Sequence, residues 1–210
     1  MKYLSKNKGF SIIEMIVSIG IVSMILAVIV FNQGDFNDRL SLSTNANDLE
    51  LYFRQAQIYG ISVKEFSPAS GEFTSPYGIS VNKVTGNDGT FFTLFADRGV
   101  PNGIYDGDST CSQDIGSECI KSVVFSRGIT IEEICAEKPN GEAECAPNVG
   151  RADITFVRPN PAANVILFNQ PGNLVNIGNV IAVRIRLLSP KGNRASVYVY
   201  TTGQISIQNN

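Results

Sequence analysis

Hydrophobic and polar positions divide this chain into three regimes. From residue 10 to residue 31 the sequence FSIIEMIVSIGIVSMILAVIVF is apolar except at Ser11, Glu14, Ser18, Gly20 and Ser23. Twenty-two residues in a helix span roughly 33 Å, enough to cross a hydrocarbon core of about 30 Å. Beyond Phe31 the chain turns polar but keeps a helical rhythm, because Leu42, Ala46, Leu49, Phe53 and Ala56 recur at spacings of three and four. Asp35, Asp38, Arg39, Asp48, Glu50 and Arg54 supply the wet side of that stripe. The pattern predicts one long helix ending near Tyr59, with Gly60 as its stop. From residue 61 onward, short β-rich runs alternate with Gly, Pro, Asn and Asp. Strands are predicted at 61–65, 78–82, 90–96, 121–126, 129–134, 152–157, 165–169, 180–188, 195–200 and 204–207. The last three form a meander, turning at 189–193 and 202–203. The fold class is therefore α+β: a long N-terminal helix, half of membrane character and half amphipathic, on a C-terminal antiparallel β-rich head.

Lys2, Lys6 and Lys8 precede the apolar run and no cation follows it directly. That asymmetry predicts a single pass through the cytoplasmic membrane, with the N-terminus inside and the head outside. A secretory signal peptide would carry a shorter apolar stretch of about 7–15 residues and a small-residue cleavage site. The run here is longer, and it ends in Val30-Phe31-Asn32-Gln33. An ordinary anchor would not carry Glu14, since a carboxylate at the centre of a membrane helix costs roughly 2.5–3.5 kcal/mol on insertion scales. Near the cytoplasmic edge the cost is smaller, and a partner is still expected.

The run Lys8-Gly9-Phe10-Ser11-Ile12-Ile13-Glu14 resembles the class III leader of type IV pilins and type II secretion pseudopilins. The resemblance implies that a prepilin peptidase cuts after Gly9 and N-methylates Phe10. It also implies that Glu14, the fifth mature residue, meets the N-terminal amine of a neighbouring subunit during assembly. The physical reason is that a carboxylate in a dry environment is tolerated only when paired and hydrogen-bonded. Residues 1–9 would then be a cleaved leader, 10–31 the membrane and assembly helix, 32–60 its amphipathic continuation and 61–210 the extracytoplasmic head. In the head, 49–59 (LELYFRQAQIY), 92–106 (FTLFADRGVPNGIYD) and the terminal hairpin at 197–207 resemble the GspH/FimT group of minor pseudopilins. The implied function is a minor subunit of a type IV pilus or a type II secretion pseudopilus, with prepilin peptidase, other pilin subunits and the membrane as partners. The assembled filament would be periplasmic or lie at the cell surface.

Four cysteines, Cys111, Cys119, Cys135 and Cys145, lie in the exported part. They form no C-x-x-C, and their spacing does not suit a Cys₄ zinc site. Disulfides in an oxidising compartment are the better reading. Three connectivities are open, and the sequence-local pairs Cys111–Cys119 and Cys135–Cys145 are preferred because each staples a polar, Gly/Pro-rich loop.

Asp97, Asn102, Asp106 and Asp108 fall within twelve residues, followed by Asp114 and Glu118. Clustered hard oxygen donors suit Ca²⁺, although the spacing is not that of an EF-hand. The competing reading takes Asn102-Gly103 and Asp106-Gly107 as turns. No other cofactor is called for.

Formal charge is −2 for the chain and −5 once the leader's three lysines are removed. It is unevenly spread. Residues 97–144 hold ten acids and four bases, whereas 154–210 hold no acid but retain Arg158, Arg184, Arg186, Lys191 and Arg194. The cluster Arg184, Arg186, Lys191 and Arg194 reads either as a subunit or partner face or as a DNA-binding surface. Some competence pilins of the resembled group take the second role. The ending Gln208-Asn209-Asn210 lacks the arginines associated with it. There is no histidine, which removes Ser-His-Asp and Cys-His catalysis. No phosphate-binding glycine motif occurs, and no carboxylate pair stands out for glycosidase chemistry. The chain reads as a structural subunit and not as an enzyme.

Overall fold

The stripe predicted on the second half of the helix is buried in full: Leu42 is 4% exposed, and Ala46, Leu49, Phe53 and Ala56 are inaccessible. The computed structural model describes residues 9–62, 65, 75–107, 111 and 117–209. The chain divides into two compact units, Met1–Asn37 and Asp38–Asn210. Among the described residues one helix, α1, runs over Ile12–Ile61. In the first unit, its large apolar side chains are exposed all round, from Ile12 at 80% through Val17 at 52% to Val30 at 65%. Such a surface is stable only against lipid or other apolar helices.

Among the described residues, the second unit adds eleven strands to the rest of α1. In chain order these are β1 (Tyr77–Asn82), β2 (Phe91–Ala96), β3 (Cys119–Val124), β4 (Thr130–Glu137), β5 (Ala143–Glu144) and β6 (Arg151–Val157). There follow β7 (Asn160–Phe168), β8 (Leu174–Val175), β9 (Ala182–Leu188), β10 (Arg194–Tyr200) and β11 (Ile205–Asn209). One sheet runs β3-β2-β1-β6-β7-β8 and the other β11-β10-β9-β4-β5. Every pairing is antiparallel. Alternate residues of both sheets, among them Ile79, Phe92, Ile154, Ile134, Ile185 and Val197, join the helix stripe in one apolar core. The fold is the expected α+β arrangement of a long N-terminal helix followed by antiparallel sheets, and it is pilin-like.

Polar ties fix α1 to the sheets at intervals along its length. Asp38 Oδ2 accepts hydrogen bonds from Ser189 Oγ and, at 2.7 Å, Asn193 Nδ2. Asn45 Oδ1 accepts the Ser126 amide at 2.9 Å. Lys121 Nζ reaches the Tyr52 hydroxyl at 2.7 Å. Gln57 Nε2 donates to the carbonyls of Pro161 and Gly203, each at 3.0 Å.

Several element boundaries differ from the sequence expectation. A strand was expected at 61–65, but Ile61 is the last residue of α1 and Ser62 N still donates to Ile58 O at 2.9 Å. Residues 63–64 lie outside the described residues, and Glu65 belongs to no element. Gly60 does not stop the helix. A side chain there would run into the Phe156 carbonyl, so the glycine serves close packing of α1 on β6. Strand β7 begins five residues before its predicted start and tolerates Pro161, because the β6–β7 ladder is irregular at Phe156/Val157. The two-residue strands β5 and β8 close the sheet edges and carry no sequence signal.

Candidate functional site

Gly9 and Phe10 precede the first residue of α1, and Phe10 is 82% exposed. Glu14 stands in the first turn, where a negative charge is favoured by the unsatisfied amides of a helix N-terminus. Ser18 Oγ donates to the backbone oxygen of Glu14 at 2.7 Å, a contact that leaves the carboxylate itself unused. Gly9, Phe10 and Glu14 therefore lie together at one end of an exposed apolar helix.

In the acidic stretch of the head, the buried carboxylates accept backbone amides. Asp97, 1% exposed, receives the amides of Asn102 at 3.2 Å and Gly103 at 2.6 Å. Glu118, 8% exposed, receives the amides of Arg98 at 3.3 Å and Asp106 at 2.9 Å. Asn102 Nδ2 donates to Asp106 Oδ2 at 3.0 Å. Burial pushes the carboxyls of Asp97 and Glu118 above their ordinary range, against the backbone amides that pull them down. The buried acids thus organise the segment's backbone. Asp108 and Asp114 lie outside the described residues.

A third buried acid joins them. Asp153 on β6 accepts the Tyr105 amide at 3.0 Å and pairs with Arg151, whose Nη2 also donates to the Tyr105 carbonyl at 2.6 Å. Residues 97–107 therefore fold over the second face of the six-stranded sheet. Ser80, Thr93, Asp153 and Thr155 are buried on that face, and Phe95 meets the Tyr105 ring at 5.2 Å. The left-handed Gly103, with φ of 79°, brings this segment against Asn164 and Ile166. The sequence reading missed Asp153 and Arg151. Their signal was an acid at an otherwise apolar β-strand position, two residues after a base.

The cysteines pair as Cys111–Cys119 and Cys135–Cys145. Among the described residues, Glu133, Cys135 and Cys145 bring three ligand-type atoms within 4.8 Å of one another, with the two sulfurs already joined.

The basic meander is not a bare cationic face. Arg184 Nε pairs with Glu137 at 2.6 Å, and its Nη1 lies 3.6 Å from Glu133. Arg186 pairs with Glu133 at 2.5 Å, and Arg194 grips Glu132 through Nε and Nη2. The Arg194 hydrogen bond holds the Glu132 carboxyl below its ordinary range. Lys191 lies apart from these pairs, in the β9–β10 turn beside Asp38. Charges segregated along the sequence are thus brought together by the β4–β9 ladder.

None of the curated proteins and none of the solved structures compared matches the chain. Residues 4–30 match the family model described as the prokaryotic N-terminal methylation motif, a prepilin-type leader signature that covers the start of the apolar helix.

Proposed function

We propose that this chain is a membrane-anchored minor pilin or pseudopilin subunit. Prepilin peptidase would cleave it between Gly9 and Phe10, N-methylate Phe10 and release it for assembly into a type IV pilus or type II secretion pseudopilus. The observation that carries this reading is the methylation motif over residues 4–30, set on a helix whose apolar side chains are exposed on every side. Glu14 would pair with the amine of a neighbouring subunit and reward correct axial register. The assignment of the head to the GspH/FimT group rests on the segments at 49–59, 92–106 and 197–207. Glu14→Val tests the assembly role: the variant should still insert into the membrane but fail to enter filaments, and normal incorporation would remove that role.

The DNA-binding reading has less support, because Arg184, Arg186 and Arg194 are engaged by glutamates of the same chain. Calcium at Asp97, Asn102, Asp106 and Asp108 stays a separate proposal. It requires a rise in melting temperature at millimolar Ca²⁺ that Asp106→Ala abolishes.

A further inference from the structure

A polar patch lies on the outer face of the six-stranded sheet, where strand alternation turns every second residue away from the core. On the adjacent strands β2, β1 and β6, Ser80 stands opposite Thr93 on one side and Asp153 on the other, and Asn82 stands opposite Arg151. Ser80, Asn82, Thr93 and Arg151 line a cavity of about 80 Å³ together with Phe91, and it is closed by Asn87 from the β1–β2 segment and by Tyr105 and Gly107 from the segment folded over the sheet. Ser80 is 5% exposed and Thr93 2%, and neither hydroxyl has a hydrogen-bond partner among the described residues. Asn82 and Asn87 each use the side-chain oxygen to accept a backbone amide, that of Val84 at 3.0 Å and that of Gly89 at 2.9 Å. Their amide nitrogens have no partner among the described residues. Of the lining side chains only Arg151 is charged, and Asp153 neutralises it.

Buried hydroxyls are nearly always hydrogen-bonded, and a patch that served packing alone would be apolar. Here two hydroxyls, which both give and accept, and two amide donors converge on a cavity whose lining carries no net charge. That set matches the hydroxyls of a neutral sugar, which also give and accept. It does not match an anion, whose charge would stay unbalanced. Phe91 adds an apolar surface of the kind on which the C–H side of a sugar ring packs, and Val124, 70% exposed, stands directly opposite it on β3. The cavity is well below the roughly 300 Å³ of a pocket that encloses a whole drug-sized ligand, so it takes one edge of a ring. We propose that this cavity binds the edge of a neutral pyranose, with Ser80, Thr93, Asn82 and Asn87 on its hydroxyls and Phe91 against its ring. The site is independent of the membrane anchor, and it gives the head a ligand of its own.

The test uses the full chain in phosphatidylcholine nanodiscs, which bring no sugar with them. Saturation-transfer NMR titrations are run with the methyl pyranosides of glucose, galactose, mannose and N-acetylglucosamine, and with acetate as an anionic control. The expected result is saturable binding of at least one pyranoside and none of acetate. Ser80→Ala/Thr93→Val should raise the dissociation constant at least about five-fold. It should not lower the melting temperature, because the hydroxyls it removes have no partner among the described residues. Asn82→Asp/Asn87→Asp keeps the oxygens that accept Val84 and Gly89 and removes both donors, so it should weaken binding to a similar extent. Tighter binding of a tetrasaccharide of the same sugar would mark a polysaccharide as the source, and equal binding a free sugar. Binding of none of the four pyranosides, binding of acetate in their place, or binding that both variants leave unchanged would overturn the proposal. A melting temperature lowered by Ser80→Ala/Thr93→Val would assign the hydroxyls to the fold, and the asparagine variant would then decide alone.

Discussion

The Asp153 carboxylate, fully buried on β6, accepts the backbone amide of Tyr105 at 3.0 Å. It thereby ties residues 97–107 to the six-stranded sheet while neutralising Arg151. Removing one member of such a pair leaves an uncompensated charge in a poorly solvated place. Asp153→Ala should therefore cost about 3 kcal/mol, lowering the melting temperature of the head by roughly 6–12 °C. Thermal unfolding followed by circular dichroism checks this. An unchanged transition would mean that the segment is held by the Asp97 and Glu118 contacts alone.

Gly60 offers a test in which two physical effects have opposite signs. As a residue within α1 with open space around it, Gly60 would favour replacement by alanine by about 1 kcal/mol. A methyl group would instead collide with the Phe156 backbone, and carbonyl atoms of a paired strand cannot simply move aside. Gly60→Ala should destabilise by about 1–3 kcal/mol, as overpacking does. The urea midpoint should fall, and a rise would mean that the Phe156 backbone leaves room for a methyl group.

The pH dependence of stability has two parts of opposite sign. Asp97 and Glu118 have folded-state values raised by burial, so the folded head binds their protons more readily than the unfolded chain does. Their contribution grows as pH falls through those raised values and is complete below the ordinary 3.8 and 4.5. Asp38 and Glu132 are lowered, chiefly by Ser189 and Arg194 respectively. Their contribution is present above the same ordinary values and is lost as pH falls below them. The melting temperature should accordingly hold or rise slightly from neutral pH to about 5 and decline below about 4. Asp38→Asn and Glu132→Gln should each flatten the acid decline. A steep fall between pH 7 and 5 would contradict this balance.

The helix was legible in the sequence because its signals are local and periodic. Leu42 to Ala56 repeat at three and four, and all five residues are buried as that spacing requires. The meander was legible because its turns carry their own chemistry at 189–193 and 202–203. The 97–118 stretch was harder, because the same carboxylates suit a cation or a set of backbone amides. Only the approach of Asn102, Gly103 and Asp106 shows the amides beside them. The basic meander was misleading for a related reason. Glu133 and Glu137 are about fifty residues from their arginines in sequence and adjacent across the β4–β9 ladder. Gly60 was misread because a glycine demanded by a neighbouring strand looks the same in sequence as one that ends a helix.

The central claim concerns processing at the N-terminus, and intact-mass and N-terminal analysis of the chain from its native membrane tests it most directly. The account predicts a mature species that lacks residues 1–9 and begins with N-methylated Phe10. A mature fraction still beginning at an unmethylated Met1 would contradict it.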